Sequence, residues 1–256
     1  MKTTLQFAVA MLCGWAAVAP ARPLQEIRAR NEISVCASPN ALPFASEKGD
    51  APGFQIEIAR ALAKQMGLNL RVDWIVPRYR ASLVDCDMMM DTVVRKDVER
   101  PPGLKVTIPY QTSGVALVFG PGKRTVATYQ ELPAGMKVGV MMSSLASLIV
   151  SKTPATMVPF GFEDDLVKAI ADGEVDVGAL SPATAGYHNM KNPGRQVNVV
   201  HAEDAEPDLK WTVAVGLRRA DDALLEAVND ALGALMRDDV IAGIYRKYAV
   251  DYRRPQ

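Results

Sequence analysis

The stretch that most constrains the fold runs from Ile33 to Gly67, ISVCASPNALPFASEKGDAPGFQIEIARALAKQMG. Ile33 to Ala37 is a short apolar, β-branched run stopped by Ser38-Pro39-Asn40, the pattern of a buried strand. A polar loop with Pro43 and Phe44 follows. Gly53-Phe54 then opens an amphipathic helix in which Phe54, Ile58, Ala61, Leu62 and Met66 recur at helical spacing, and Gly67 closes it as a C-cap. Strand, loop and helix are half of a βαβ unit. Open α/β sheets hold ligands beyond the carboxyl ends of their strands, which makes the loop from Ala37 to Asp50 the first candidate site.

The strand, the Leu42-Pro43-Phe44 turn and the Gly53-Phe54-x-x-Glu57 helix start resemble the family 3 solute-binding proteins of bacterial transporters, over roughly Ile33 to Val250. In the first lobe, Cys36 beside Ser38-Pro39-Asn40, Leu42-Pro43-Phe44, Trp74, Pro77-Arg78 and Cys86-Asp87 resemble one branch of that family. These are the periplasmic binding-protein-like accessory proteins associated with quinoprotein alcohol dehydrogenases. The resemblance implies an α/β, two-lobed clamp, each lobe a doubly wound sheet, joined by two crossing hinge strands. Pro109-Tyr110 with Val115 to Phe119 matches the first crossing and Trp211 to Leu217 the return. Residues 22–114 plus 215–256 are then expected to form lobe one, and residues 115–214 lobe two.

The 256 residues, 49% hydrophobic and 23% charged, suffice for such a pair of cores. Twenty-nine basic against 29 acidic residues leave no electrostatic footprint for nucleic acid. Lys2, the apolar run Leu5 to Ala19 and Ala19-Pro20-Ala21 read as a signal peptide over residues 1–21, cut after Ala21, which places the mature chain in the periplasm. The run falls short of the about 20 residues that a membrane span needs, and no later segment reaches it. Cys13 lies in the signal. Cys36 and Cys86 enter a compartment where disulfides persist, at corresponding ends of the first and third strands, which are neighbours in the order these lobes use. A bridge is expected, with two buried thiols as the alternative.

Along the rest of the chain, Leu70 to Val76 and Asp87 to Val94 read as strands, as do Leu132 to Val140 and Val175 to Leu180. Helices are expected around Leu145, Leu148 and Ile149, over Phe162 to Ala171, Asp221 to Arg237 and Val240 to Tyr248. The family usually carries a full helix where Tyr79 to Asp87 has room for scarcely two turns, so one cleft wall is expected to be more open. The methionines Met88 to Met90 and Met141-Met142 read as core.

Family members that bind amino acids need an Arg for the carboxylate, donors at a helix N-terminus and a carboxylate for the ammonium, because a desolvated zwitterion must have both charges met. Arg100 matches the Arg position if one extra residue is allowed before it, and otherwise reads as a solvated loop Arg. Ser143 and Ser144 match the helix N-terminus, where they also read as plain caps. Tyr79 lies where the family stacks an aromatic on its ligand. Ser181 is five residues after Asp176, where amino-acid binders carry the ammonium-pairing Asp, and Val94 replaces a hydroxyl residue. Ordinary amino-acid binding is therefore not expected. The expected ligand set is Asn40, Phe44, Arg78, Tyr79, Asp91, Arg100, Ser143, Ser144 and Ser181.

Asp85, Asp87 and Asp91 share a strand face by spacing, but no His or bidentate Glu completes a metal shell. The tract His201, Glu203, Asp204, Glu206 and Asp208 reads as a solvated loop before the crossing strand. No G-x-S-x-G, Walker, H-E-x-x-H or dinucleotide motif is present, so neither enzyme activity nor a cofactor is expected. The functional expectation is an exported binding protein that captures a small periplasmic solute or serves a quinoprotein alcohol dehydrogenase as accessory. The alternative is the solute-binding component of an ABC transporter for a polar or anionic solute, with a permease as partner. A dehydratase-like enzyme on the same fold is a third class, needing a convergent acid and base that the sequence does not offer.

Overall fold

The computed structural model describes residues 22–75, 85–95 and 101–255. Helix α1 (Leu24–Arg30) leads into the buried strand β1 (Glu32–Ala37), then two short strands, β2 (Asn40–Ala41) and β3 (Ala45–Ser46), pair before helix α2 (Phe54–Gln65). Strands β4 (Asn69–Trp74) and β5 (Met88–Val94) flank β1 in parallel on its two sides. Strand β6 (Leu104–Gly114) ends one residue before β7 (Ala116–Phe119), which belongs to a different sheet. There follow β8 (Lys137–Met141), α3 (Leu145–Val150), β9 (Thr156–Phe160), α4 (Glu163–Ala171), β10 (Val177–Leu180), α5 (Pro182–Lys191) and β11 (Asn198–Val200). The chain returns to the first sheet at β12 (Lys210–Arg218) and closes with α6 (Asp222–Arg237) and α7 (Val240–Lys247).

Among the described residues the two sheets run β4-β1-β5-β12-β6 and β11-β7-β10-β8-β9. Each has a parallel trio with its first strand in the middle, and an antiparallel strand from the crossing next to it. This is the expected α/β, two-lobed, doubly wound architecture. Its switch points, where the winding reverses, fall between β1 and β5 and between β8 and β10. The first core gathers Ile33, Val35, Ile58, Leu62, Leu224, Leu232 and Tyr245, all fully buried or nearly so. The second sheet alternates: Leu117, Val138 and Val140 face one cluster, while Val118, Leu180 and the α4 residues Leu166 and Ile170 form the other.

Three local expectations are corrected. Helix α5 was not expected; its start is signalled by Ser181, whose Oγ accepts from Ala183 N–H at 3.2 Å, with Pro182 in the first turn. Met142 is 62% exposed rather than core, because β8 ends at Met141 and the chain turns outward. Asp85, Asp87 and Asp91 do not line one face, since the backbone bends at Asp87. Cys86, just before that bend, lies at a Cα–Cα distance of 5.6 Å from Cys36, and the two form a disulfide.

The acidic tract is only in part the solvated loop expected: Asp204 and Asp208 are exposed, but Glu203 is not. Glu203 is only 1% exposed and lies where the chain returns between lobes. Its Oε1 is 2.7 Å from His201 Nδ1 and accepts from Arg253 Nη1 at 3.2 Å, while Arg253 Nη2 reaches both oxygens of Asp204 at 2.7 and 2.8 Å. Lys210 also holds Asp204, at 2.7 Å. Arg253 belongs to the C-terminal tail, whose backbone accepts from Thr112 N–H on β6 at 2.7 Å. The tail thus clasps both crossings. The Glu203 contact raises the His201 pKa, Asp251 adds to it, and burial and Arg253 oppose it. A raised native value stabilises fully below the unfolded value of about 6.5 and fades as pH rises through the native one. The unfolding midpoint is accordingly expected to fall as pH rises above the unfolded value of about 6.5, and His201→Gln to flatten that segment. Circular-dichroism melts of both proteins across this range check it.

Candidate functional site

The switch point of the second sheet places two sequence candidates together. Strands β8 and β10 run parallel with Val140 opposite Ala179, so Ser143 and Ser181 follow neighbouring strand ends. Ser143 is exposed at φ 58°, a left-handed conformation that residues other than glycine uncommonly adopt. Ser144 Oγ accepts from Ser147 N–H at 3.1 Å and so caps α3. With six residues, α3 is a short helix, and the capping role already accounts for Ser144.

Next to Ser181 stands a carboxylate that the sequence reading missed. Glu163, first residue of α4, accepts from the Ser181 backbone N–H at 3.0 Å through Oε1 and from the Thr184 hydroxyl at 2.5 Å through Oε2. Burial raises its pKa above the ordinary carboxyl value, against the lowering effect of those two hydrogen bonds; Asp164 adds a smaller upward push. The close seat of α4 on the sheet sets this geometry. A Cβ at Gly178 would come 2.4 Å from Ile170 Cδ1, and one at Gly139 2.2 Å from Leu166 Cδ1, so only glycine lets the helix approach β10 and β8 this closely. A glycine-spaced strand facing a helix that begins Glu-Asp-Asp was the available signal.

In the first sheet, Phe44 is half-buried and packs its ring against Phe54 at a centroid distance of 5.1 Å. It therefore serves the packing of α2 on the loop as well as any ligand. Asn40 is exposed on β2 and Asp91 exposed on β5. Asp91 contributes to raising the pKa of the buried Tyr110, after the larger effect of burial. Arg78, Tyr79 and Arg100 lie outside the described residues, as does the expected open wall before Asp87. No cluster of three or more His, Cys, Asp or Glu side chains able to hold a metal occurs among the described residues. An open hollow of about 580 Å³, lined by Arg124, Thr125, Val126, Ala127, Glu131 and Val200, shares no residue with either set of strand ends. No helix among the described residues is long and apolar enough to cross a membrane.

Comparison with known proteins agrees with this architecture. The L-cystine-binding protein TcyJ of Escherichia coli (strain K12) is 25% identical over 210 residues, covering 80% of this chain and 77% of the relative. The L-cystine solute receptor of Neisseria gonorrhoeae, in an unliganded open conformation, superposes with a TM-score of 0.72 at 18% identity, covering 90% of this chain and 99% of that one. MxaJ of Methlophaga aminisulfidivorans MPT gives 0.70 at 18% identity, covering 86% and 99%. The model of the bacterial extracellular solute-binding proteins, family 3, matches residues 33–251, and the chain belongs to that family.

Proposed function

We propose that the protein is an exported, periplasmic clamp that captures a small solute between a lobe of residues 22–114 plus 215–256 and a lobe of residues 115–214, after removal of a signal peptide over residues 1–21. The observation that carries this reading is the pair of neighbouring strand ends at the β8–β10 switch point, which present Ser143 and Ser181 to the surface where such sheets take ligands. Asn40, Phe44, Asp91 and, beyond the described residues, Arg78, Tyr79 and Arg100 complete the proposed contacts. The chain acts as a binder and not as a catalyst; relatives such as TcyJ are named for binding, which supports this. A thermal-shift screen of amino acids, amines, carboxylates and sugars tests it. A solute at a hundred times its dissociation constant stabilises by about 2.7 kcal/mol, a rise of roughly 5 to 10 °C for a chain of this size.

A second reading, an accessory of a periplasmic quinoprotein alcohol dehydrogenase, is favoured by the Cys36–Cys86 bridge, which joins the two cysteine segments that carry the branch resemblance. The fold likeness to MxaJ fits it. Affinity capture from the native host grown on an alcohol separates the two. A flat screen with recovery of a dehydrogenase moves the function to the accessory role, whereas recovery of a transporter permease places the protein in an ABC system.

A further inference from the structure

Glu163 has a combination of properties that a structural brace does not require. It is half-buried, both its oxygens are aimed by fixed donors, and none of the ion pairs among the described residues includes it. Even a half-buried carboxylate loses part of its hydration, here without a counter-cation to offset it, and each of its oxygens keeps a further lone pair for a donor. The Thr184 hydroxyl that orients it is itself only 4% exposed, so the arrangement is rigid.

Its surroundings define the complement. Phe162, the residue before it, is 72% exposed, and Met142, whose N–H donates to the Phe160 carbonyl at 3.0 Å, stands on the adjoining strand end. Two large apolar side chains thus remain in water near one half-buried carboxylate that has no counter-cation. A hard metal ion would need several more oxygen ligands, and the described residues supply no such cluster. An anion would be repelled by Glu163 and by Asp164 and Asp165 after it. An organic cation suits both features, because its charge meets the carboxylate while its hydrocarbon or aromatic part covers exposed apolar surface. The absence of a carboxyl group at Ser181 is then no obstacle, since the negative charge reaches the same strand end from α4.

We propose that Glu163 is the specificity-determining residue of the second lobe, pairing with the ammonium or guanidinium group of a solute whose apolar part rests on Met142 and Phe162. This deepens the solute-capture reading above and rests on it. Amino acids are readmitted as ligands by it, provided that their ammonium reaches Glu163 rather than residue 181.

The test is calorimetric titration of the full mature chain with three probes of one shape: phenethylammonium, phenethyl alcohol and 3-phenylpropionate. Phenethylammonium is expected to bind at least about tenfold tighter than the alcohol, and Glu163→Gln to abolish that preference while the alcohol affinity is retained. Should the variant fail to fold, the wild-type pH profile decides. Cation affinity must fall as pH drops through the raised Glu163 value, while alcohol affinity stays level. A preference that survives in Glu163→Gln, or a wild-type preference for the alcohol or the carboxylate, overturns the proposal and leaves solute capture standing. Binding of none of the three, with a flat thermal-shift screen, removes both.

Discussion

Asp87→Ala is expected to lower the stability of the protein by about 3–5 kcal/mol, the range for breaking a buried ion pair by removing one partner. Asp87 is 1% exposed. Its Oδ1 accepts from Arg22 Nη1 at 2.6 Å, and its Oδ2 accepts from the Ser34 backbone N–H at 2.8 Å and the Ser34 hydroxyl at 2.7 Å. The Ser34 hydroxyl is also within 3.0 Å of the Asp87 N–H, and Arg22 donates in addition to the Asp85 carbonyl at 2.8 Å. One side chain therefore joins the N-terminal segment, β1 and the start of β5. Alanine would strip a buried guanidinium of its buried carboxylate partner, leaving it only the exposed Asp85 carboxylate, and would leave two donors on Ser34 unsatisfied, which outweighs the relief of desolvating one carboxylate. Each kcal/mol is worth about 2–4 °C at this length, so the midpoint should drop by roughly 10 °C. Asp87→Asn, which keeps an acceptor for Ser34, should lose less. A loss below about 3 °C for alanine in calorimetry would mean that the Arg22 pair is not formed in solution.

Removing the Cys36–Cys86 bridge is expected to cost about 4 kcal/mol in the chain-entropy description, given that it closes a separation of 50 residues. Both cysteines are buried, so a reductant should act slowly on the native protein, and the double variant Cys36→Ser, Cys86→Ser is the cleaner comparison. The bridge ties the carboxyl end of β1, where the candidate loop begins, to the segment leading into β5. Its loss should therefore loosen the first-lobe site before the second lobe is affected. The bridge itself is checked by non-reducing mass spectrometry of protein recovered from the periplasm. Two free thiols there, or a double variant as stable as the wild type, contradicts the expectation.

Much of the fold is legible in the chain because it is written in local periodicity. The apolar run at Ile33 to Ala37, the helical spacing from Phe54 to Met66 and the amphipathic stretch at Asp221 to Arg237 each survive as elements within a few residues, since burial of one face dictates both pattern and structure. The pairing of Cys36 with Cys86 was within reach for the same reason, given a strand order in which β1 and β5 adjoin.

What tertiary structure alone decided lies where distant segments meet. His201, Glu203 and Asp204 look like solvent-facing charges by composition; they became a clasp around the buried Glu203 because the C-terminal tail carries Arg253 to both crossings, a contact 50 residues away in sequence for Glu203. Glu163 likewise carries no motif. Its carboxylate gained significance only when Gly139 and Gly178 let α4 settle on the sheet and brought it to the backbone of Ser181, 18 residues on. The sequence by itself determined most of the strands and helices, since those follow from short-range pattern; β9, α5 and β11 escaped it, and the order of winding came with the family resemblance. The positions of charge around the site follow from close packing between elements, and side-chain type alone does not encode them.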